Sequence, residues 1–284
     1  MQNLKLVIPK GRLYRRVIEL LNQAGYGIAE DERLYAPCSR DQEIRVKIMK
    51  PQNIPQLLQM GSHDVGFTGY DWLVESGAKV ETILDLGFDP VRLVSAVSIE
   101  RRESLWDGRS LVVASEYQAI ANRYLMGKGV PYQLLRTFGA TEVFPPDDAD
   151  LIVDNSASGA TLKSHGLVEV DVILNSSTWL LASPEMMKDS WKRAKLEEMV
   201  MLVKGVLDAR ERVMLEMNVP SVCLNEIVGC LPCMRAPTVS PLYNGSGFAV
   251  KAAVSRLETH HLIPRLKRMG ARDILETGII KVVV

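Results

Sequence analysis

Cysteine is scarce in this sequence: Cys38, Cys223, Cys230 and Cys233 are the only four in 284 residues. The first twenty residues hold no uninterrupted apolar stretch and no small-residue cleavage site. No secretory signal is therefore expected, and few cysteines without export fit reduced thiols in a cytoplasmic protein. Cys230 and Cys233 form a C-x-x-C, but no second pair completes a zinc set, so free thiols are expected. An excess of one charge sign is also missing. Lys+Arg is 34 and Asp+Glu is 34, which argues against a general nucleic-acid binder. No run of 18 apolar residues occurs, so no membrane span is expected. The histidines His63, His165, His260 and His261 are scattered or adjacent, unlike an i,i+4 metal pair. Neither a G-x-S-x-G elbow nor a Walker G-x-x-x-x-G-K-[ST] loop is present. No histidine stands in an evident Ser/His/Asp or Cys/His context, which leaves covalent catalysis little support.

What is present is apolar material in alternating periods. Hydrophobic residues make up 47%, enough for two domains with separate cores. LKLVIP (4–9) reads as a buried strand. A helix follows with Leu13, Val17, Leu20, Leu21 and Ala24 on one face, closed by Gly25. RVKIM (45–49), DVGFTG (64–69), SLVVAS (110–115), YQLLRTF (132–138) and ADLIVD (149–154) are further strands. Asn53 can cap a short helix carrying Ile54, Leu57 and Leu58, and 117–127 is helical. Strands alternating with helices imply α/β layers with largely parallel pairing. Residues 185–208 make a longer amphipathic helix with Trp191, Met199, Val203, Val206 and Leu207 on its apolar side. The tail then reads β-α-β-β-α-β: RVMLEMN (212–218), a helix capped by Ser221, APTVSPLY, a turn at Asn244-Gly245-Ser246, GFAVKAAV, a helix over 256–268 stopped by Gly270, and DILETGIIKVVV as a strand to the end. That order is the split βαβ of a ferredoxin-like unit, so a domain boundary is placed near residue 210.

The stretch 149–167, ADLIVDNSASGATLKSHGL, is the most informative chemically. An apolar strand ends at Asp154, a loop of small residues follows, and Thr161 and Leu162 open a helix. Such a loop can offer consecutive backbone N–H groups and the hydroxyls of Ser158 and Thr161 to one phosphate. Asp154 at the strand's end can accept hydrogen bonds from both hydroxyls of a ribose diol. A phosphate cradle behind a diol-binding acid suits a ribose 5-phosphate; an ordinary strand–turn–helix with Ser and Thr caps has the same local pattern. Lys10-Gly11-Arg12, directly after the first strand, puts two cations at a helix start, where they oppose the dipole. Lys10 can act as a point charge on phosphate and Arg12 can bind it bidentately. Asp71, in TGYDW, sits at another strand's C-terminal edge, where open α/β sheets bind ligands; a helix N-cap is the plainer reading. Glu142, in GATEV, has little support from the residues alone.

PKGRL (9–13), DVGFTGYDWLVE (64–75), GATEV (139–143) and ADLIVD-x-x-x-SGATL-x-x-x-GL together resemble the ATP phosphoribosyltransferases, the first enzymes of histidine biosynthesis. NVP (218–220), LPCMRAPTVSPL (231–242), AV (249–250) and GARDIL (270–275) look like the regulatory domain of that family's long form. Position 158 is Ser where Thr is frequent, which keeps the hydroxyl. Asn155-Ser156 is more polar than the usual aliphatic pair, and Cys230 and Cys233 look peculiar to this chain. The resemblance implies an α/β catalytic part over 1–210, two-lobed like a type II periplasmic binding protein. Lobe I would take about 1–93 and 178–210, and lobe II about 94–177. A C-terminal ferredoxin-like (βαββαβ) domain over 211–284 would bind histidine as feedback inhibitor.

The implied reaction transfers phosphoribosyl from phosphoribosyl pyrophosphate (PRPP) to N1 of ATP, with Mg2+ and pyrophosphate release. It implies Lys10, Arg12 and Asp154 as catalytic and Asp154, Ala157, Ser158, Gly159, Ala160, Thr161 and Leu162 as PRPP-binding. Lys10, Gly11, Arg12, Asp71 and Glu142 would face ATP. Asn218 and Thr238 are the candidates for the histidine site. A homo-oligomer, dimer or hexamer, is implied, with neither nucleic acid nor membrane as partner. Two other readings share the motif residues: a two-lobed ligand-sensing protein, and a phosphoribosyltransferase for another base.

Overall fold

The computed structural model describes residues 2–29, 31, 34–243 and 245–283. The chain forms β1 (Leu4–Pro9), α1 (Tyr14–Ala24), β2 (Ile44–Met49), α2 (Ile54–Gln59), β3 (Val65–Gly69), α3 (Tyr70–Ser76), β4 (Glu81–Asp85), β5 (Val91–Ser98), β6 (Leu111–Ser115), α4 (Gln118–Lys128), β7 (Tyr132–Arg136), β8 (Leu151–Ser156), α5 (Ala160–Ser164), β9 (Leu167–Ser176), β10 (Thr178–Ala182), α6 (Ser190–Arg210), β11 (Arg212–Val219), α7 (Leu224–Cys230), β12 (Thr238–Pro241), β13 (Phe248–Ser255), α8 (Thr259–Arg268) and β14 (Arg272–Gly278). It packs as two compact units, 1–19 with 27–196, and 20–26 with 197–284.

The first unit holds two five-stranded sheets of matching order. One runs β2-β1-β3-β10-β4, with β1 parallel to β2 and β3 and β10 antiparallel to its neighbours. The other runs β7-β6-β8-β5-β9, with β6 parallel to β7 and β8 and β5 antiparallel to its neighbours. Each sheet thus has one antiparallel strand placed next to its edge, supplied as the chain passes between the two lobes. The chain leaves the first sheet between Asp85 and Val91 and returns at residue 177, between β9 and β10. The outward passage comes a little before the expected residue 93, because Val91 and Arg92 already pair with Ser176 and Asn175. The near-continuous apolar run of β1 follows from burial of Leu4, Leu6, Val7 and Ile8. Val7 packs on Ile54, Leu58 and Leu181. Gly66 makes that approach possible: a Cβ there would stand 2.6 Å from Val7 Cγ1 and 2.8 Å from Ile54 Cγ2. Gly66→Ala should cost about 1–3 kcal/mol by overpacking. Urea unfolding should show a lower midpoint at an unchanged slope; an unchanged midpoint would contradict the packing described.

Two expected caps are replaced. Asn53 has φ −85° and ψ −19° and makes no capping bond; Pro51 opens a 3-10 turn ahead of α2 instead. An N-cap needs extended backbone, which Asn53 lacks. Ser221 lies inside the 3-10 turn Ser221–Cys223, and extended Pro220 takes the cap position. The helix expected over 185–208 begins at Ser190, after a 3-10 turn at Met186–Lys188.

In the second unit four antiparallel strands run β12-β13-β11-β14, the ferredoxin-like order. Val213, Leu215, Met217 and Val219 alternate into a core with Ile227, Leu262 and Leu266. The last strand stops at Gly278 instead of running to the chain's end. Its partner β11 begins at Arg212, so pairing runs out at Val213↔Gly278. The chain then lies on α6, where Val282 N–H donates to Gly205 O at 2.9 Å. Of the turn expected at Asn244-Gly245-Ser246, Asn244 lies outside the described residues, and Gly245 takes φ +67°.

Candidate active site

The side-chain period of two on β8 sorts its last residues. Asp154 and Ser156 point to one face of the sheet, and Asn155 to the other. After Ser156 the chain turns through Ala157, Ser158 and Gly159, whose φ is +76°. α5 is short, five residues from Ala160 to Ser164. Its dipole is correspondingly small, so local N–H groups carry the cradle's positive character. Leu162 is buried against Val94, Ile152 and Leu167 and anchors the loop. Its side chain therefore faces the core, which leaves only main-chain groups for a ligand. Ala157, Ser158 and Thr161 are exposed.

These residues line one cavity of about 280 Å³, together with Arg12, Val91, Glu142 and Asp154. Four segments far apart in sequence, at residues 12, 91, 142 and 154–162, thus meet at one cavity. Arg12 and Asn155 also line an adjoining cavity of about 110 Å³ that Lys10, Gly69, Asp71, Trp72 and Tyr117 complete. Lys10 lies over the Tyr35 ring, 5.0 Å from its centre. Gly11 takes φ +82°, which lets the chain turn between the two cations. Glu142 sits in a 3-10 turn, Thr141–Val143, entered through Ala140 in the left-handed region.

Asp154 is half-buried, and its carboxyl is pushed up to about 6. Burial is the main cause. Hydrogen bonds from the Asn155 N–H, at 2.7 Å, and from Thr141 oppose it, while nearby Glu142 and Glu116 add to it. Burial likewise raises Glu116, against the pull of Lys50 and Arg136. Asp154 and Glu142 are hard oxygen donors on the cavity wall. That fits Mg2+ held by one or two carboxylates with the rest of its shell from substrate and water. Among the described residues, no group of three or more His, Cys, Asp or Glu is arranged around a metal position.

Asp71 lines the adjoining cavity and is also braced from within the protein. It is 3% exposed. The Tyr117 hydroxyl donates to its Oδ2 at 2.6 Å and the Ser176 hydroxyl to its Oδ1 at 2.9 Å. Trp72 stacks on Tyr117 with ring centres 4.4 Å apart. Glu75, one turn on, accepts from the Ala119 and Ile120 N–H groups at 2.9 and 3.0 Å and so caps α4. α3 therefore ties one lobe to the other. Asn155 extends the link, since its Nδ2 lies 3.3 Å from both the Tyr117 hydroxyl and Asp154 Oδ1. Tyr117, Asn155, Ser176 and Glu75 carried no local sequence signal, because the partners that join them across the lobes lie 38 to 105 residues away.

Asn218 and Thr238 are not brought together. Asn218 pairs with Ala249, which pairs with Ser240, whereas Thr238 pairs with Lys251. They share the open sheet face but stand two strands and two residues apart, about 12 Å. Asn218 donates to Asp273 Oδ2 at 2.9 Å. Thr238 instead borders a groove of about 450 Å³ with Met214, Arg235 and Lys251.

The lobes and cavity define a two-lobed α/β protein of the type II periplasmic-binding-protein class, followed by a small antiparallel domain. The family model for ATP phosphoribosyltransferase (HisG) matches residues 50–205, and that for the HisG C-terminal domain matches 209–281. ATP phosphoribosyltransferases of Chlorobium phaeobacteroides and Pelotomaculum thermopropionicum are 38% and 37% identical over 99% of this chain and 97% and 99% of theirs. An ATP phosphoribosyl transferase (HisG:HisZ) complex from Thermotoga maritima superposes with a TM-score of 0.64 at 26% identity, over 72% of this chain and 98% of that one. The chain belongs to the ATP phosphoribosyltransferase family, the pentosyltransferases that open histidine biosynthesis, with the C-terminal domain of the long form. No helix among the described residues is long and apolar enough to cross a membrane.

Proposed function

We propose that the protein joins N1 of the ATP adenine to C1 of PRPP, with release of pyrophosphate. The observation that carries this reading is the single cavity lined by Asp154, the loop 157–161, Arg12 and Glu142. The exposed Ser158 and Thr161 hydroxyls and the loop's N–H groups hold the 5-phosphate, and Asp154 accepts from the ribose diol. Gly159 and Ala160 leave room for the phosphate to approach the backbone. Lys10 and Arg12 face the polyphosphates, and Glu142 is a polar contact on the same wall. Asp154 and Glu142 would hold Mg2+, which when bound would supply positive charge to offset that of the departing pyrophosphate. The N1 lone pair forms the new bond to C1 as the C1–O bond breaks and its electron pair leaves with pyrophosphate. N1 needs no strong base, and none of the described residues lining the cavity is a histidine. Charge builds on the anomeric carbon, as at other glycosyl centres. The Asp154 carboxylate opposes that charge, and alignment supplies much of the remaining rate.

Mixing the protein with ATP, PRPP and Mg2+ should produce the ultraviolet absorbance of the adduct, with adenine and other bases inert. Adduct formation with another base, or none with ATP, would overturn the assignment. Residues 1–210 form the catalytic part and 211–284 a histidine-binding regulatory domain, in a cytoplasmic homo-oligomer. Histidine should inhibit the full chain, and deletion of 211–284 should abolish that inhibition if the core stays folded and assembled. Inhibition that persists in such a truncated chain would refute the regulatory role. Asn218 and Thr238, about 12 Å apart by strand spacing, would then belong to opposite ends of one effector or to separate contacts. Single alanine variants read by histidine titration separate the two cases.

A further inference from the structure

Behind the phosphate loop lies an ion pair that neither the motif nor the family assignment uses. Arg92 Nη1 and Nη2 donate to Glu169 Oε2 and Oε1, both at 2.8 Å. The same Oε1 accepts from the Ser156 hydroxyl at 3.1 Å. A Cβ built on Gly159 would stand 3.2 Å from this oxygen, so Glu169 lies directly under the loop's left-handed residue. Strand register alone does not produce this arrangement. Arg92 faces Ser156 on β8 and Asn175 on β9, whereas Glu169 faces Ala96. The arginine therefore lies along the sheet to reach a carboxylate four positions away. A half-exposed ion pair contributes roughly 0–1 kcal/mol to stability, so its consequence lies in what it holds. Glu169 holds Ser156 at one end of the Ser156–Gly159 turn by a hydrogen bond and lies close against Gly159 at the other. A bare carboxylate beneath a phosphate cradle would repel the ligand, and the bidentate guanidinium neutralises it.

Resting on the proposed phosphate role of loop 157–161, we infer that Arg92 and Glu169 are positioning residues for the 5-phosphate of PRPP. Glu169 sets the loop's shape, and Arg92 cancels the charge that shaping introduces. Arg92 acts on substrate through Glu169. Removing the cation is then worse than removing both charges.

The test uses the full-length protein with Arg92→Met, Glu169→Gln and the double variant, each with a melting curve, and KM measured separately for PRPP and ATP. Arg92→Met should raise KM for PRPP about tenfold, the scale of one charge-assisted contact, with KM for ATP and kcat within about twofold. Glu169→Gln keeps an acceptor for Ser156 and should raise KM for PRPP only about threefold. The double variant should return to the Glu169→Gln value, a rescue that a merely structural role does not give. A double variant as poor as Arg92→Met or poorer, or a rise in both KM values that tracks lost melting temperature, overturns the inference. Ser158→Ala/Thr161→Val serves as the control on the loop itself. If it leaves KM for PRPP unchanged, the phosphate reading fails and takes this inference with it. If it raises that KM while the Arg92 and Glu169 variants do not, only the positioning role falls.

Discussion

Replacing Asp154 with asparagine is expected to lower kcat/KM for PRPP by about 10²–10³, the usual scale for one preorganised electrostatic contact. The same change should make the protein more stable at pH 8. Both effects come from one carboxyl, buried enough to be pushed up to about 6. In the unfolded chain it ionises near 3.8, the ordinary value for an aspartate. Between these values the folded state holds the proton more tightly, so stability is full below about pH 4 and falls as pH rises through about 6. Above that the charged form costs about 3 kcal/mol, from roughly two pK units. Asparagine keeps the shape and removes the charge. Its melting temperature should exceed the parent's by roughly 6–12 °C at pH 8 and match it at pH 3.5. Parent kcat/KM should rise with pH through about 6, and the variant's should stay flat there. Equal activity in the two proteins would remove Asp154 from the site. A stability gain of the same size at both pH values would mean that some other feature is responsible.

Asp71→Ala should be the most destabilising single change among the site-adjacent residues. It strands two buried hydroxyls, Tyr117 and Ser176, which now donate to the two carboxylate oxygens at 2.6 and 2.9 Å. Buried donors left without acceptors cost about 1–3 kcal/mol each, which puts the loss at about 3–5 kcal/mol. Scanning calorimetry should show a melting temperature lower by roughly 6–15 °C. Tyr117→Phe removes one bond and leaves Asp71 Oδ2 without its donor, so it should fall between the parent and Asp71→Ala. Activity should drop in both, because Tyr117 supports Asn155 and Asn155 touches Asp154. A variant that melts within about one degree of the parent would mean the lobes are held by other contacts.

Placement of Asp71 marks where local pattern stopped being informative. At the N-terminus of α3, after a buried strand, an acid can cap, bind ligand or brace a neighbour. The choice depends on Tyr117 and Ser176, 46 and 105 residues on. Glu169 was silent for the same reason. Its partners Arg92 and Ser156 meet it only once β5, β8 and β9 are aligned. The missed caps at Asn53 and Ser221 show the converse, since there the residue type suited a role that the backbone angles did not allow.

Hydrophobic period and small-residue loops were enough to mark β1–β3, β6–β8, the βαββαβ tail and the turn after Asp154, because those features arise from contacts between near neighbours in the chain; they left β4, β5, β9 and β10 unmarked. Apolar alternation also marked a separate core in the tail, although the compact units divide at residues 196 and 197 and not at 210. Pairing of lobes, the burial that lifts Asp154, the conversion of Asp71 into a brace and the ion pair beneath Gly159 required the folded sheets. Each depends on distances between segments tens of residues apart, and such distances are set by packing, which no local sequence pattern encodes.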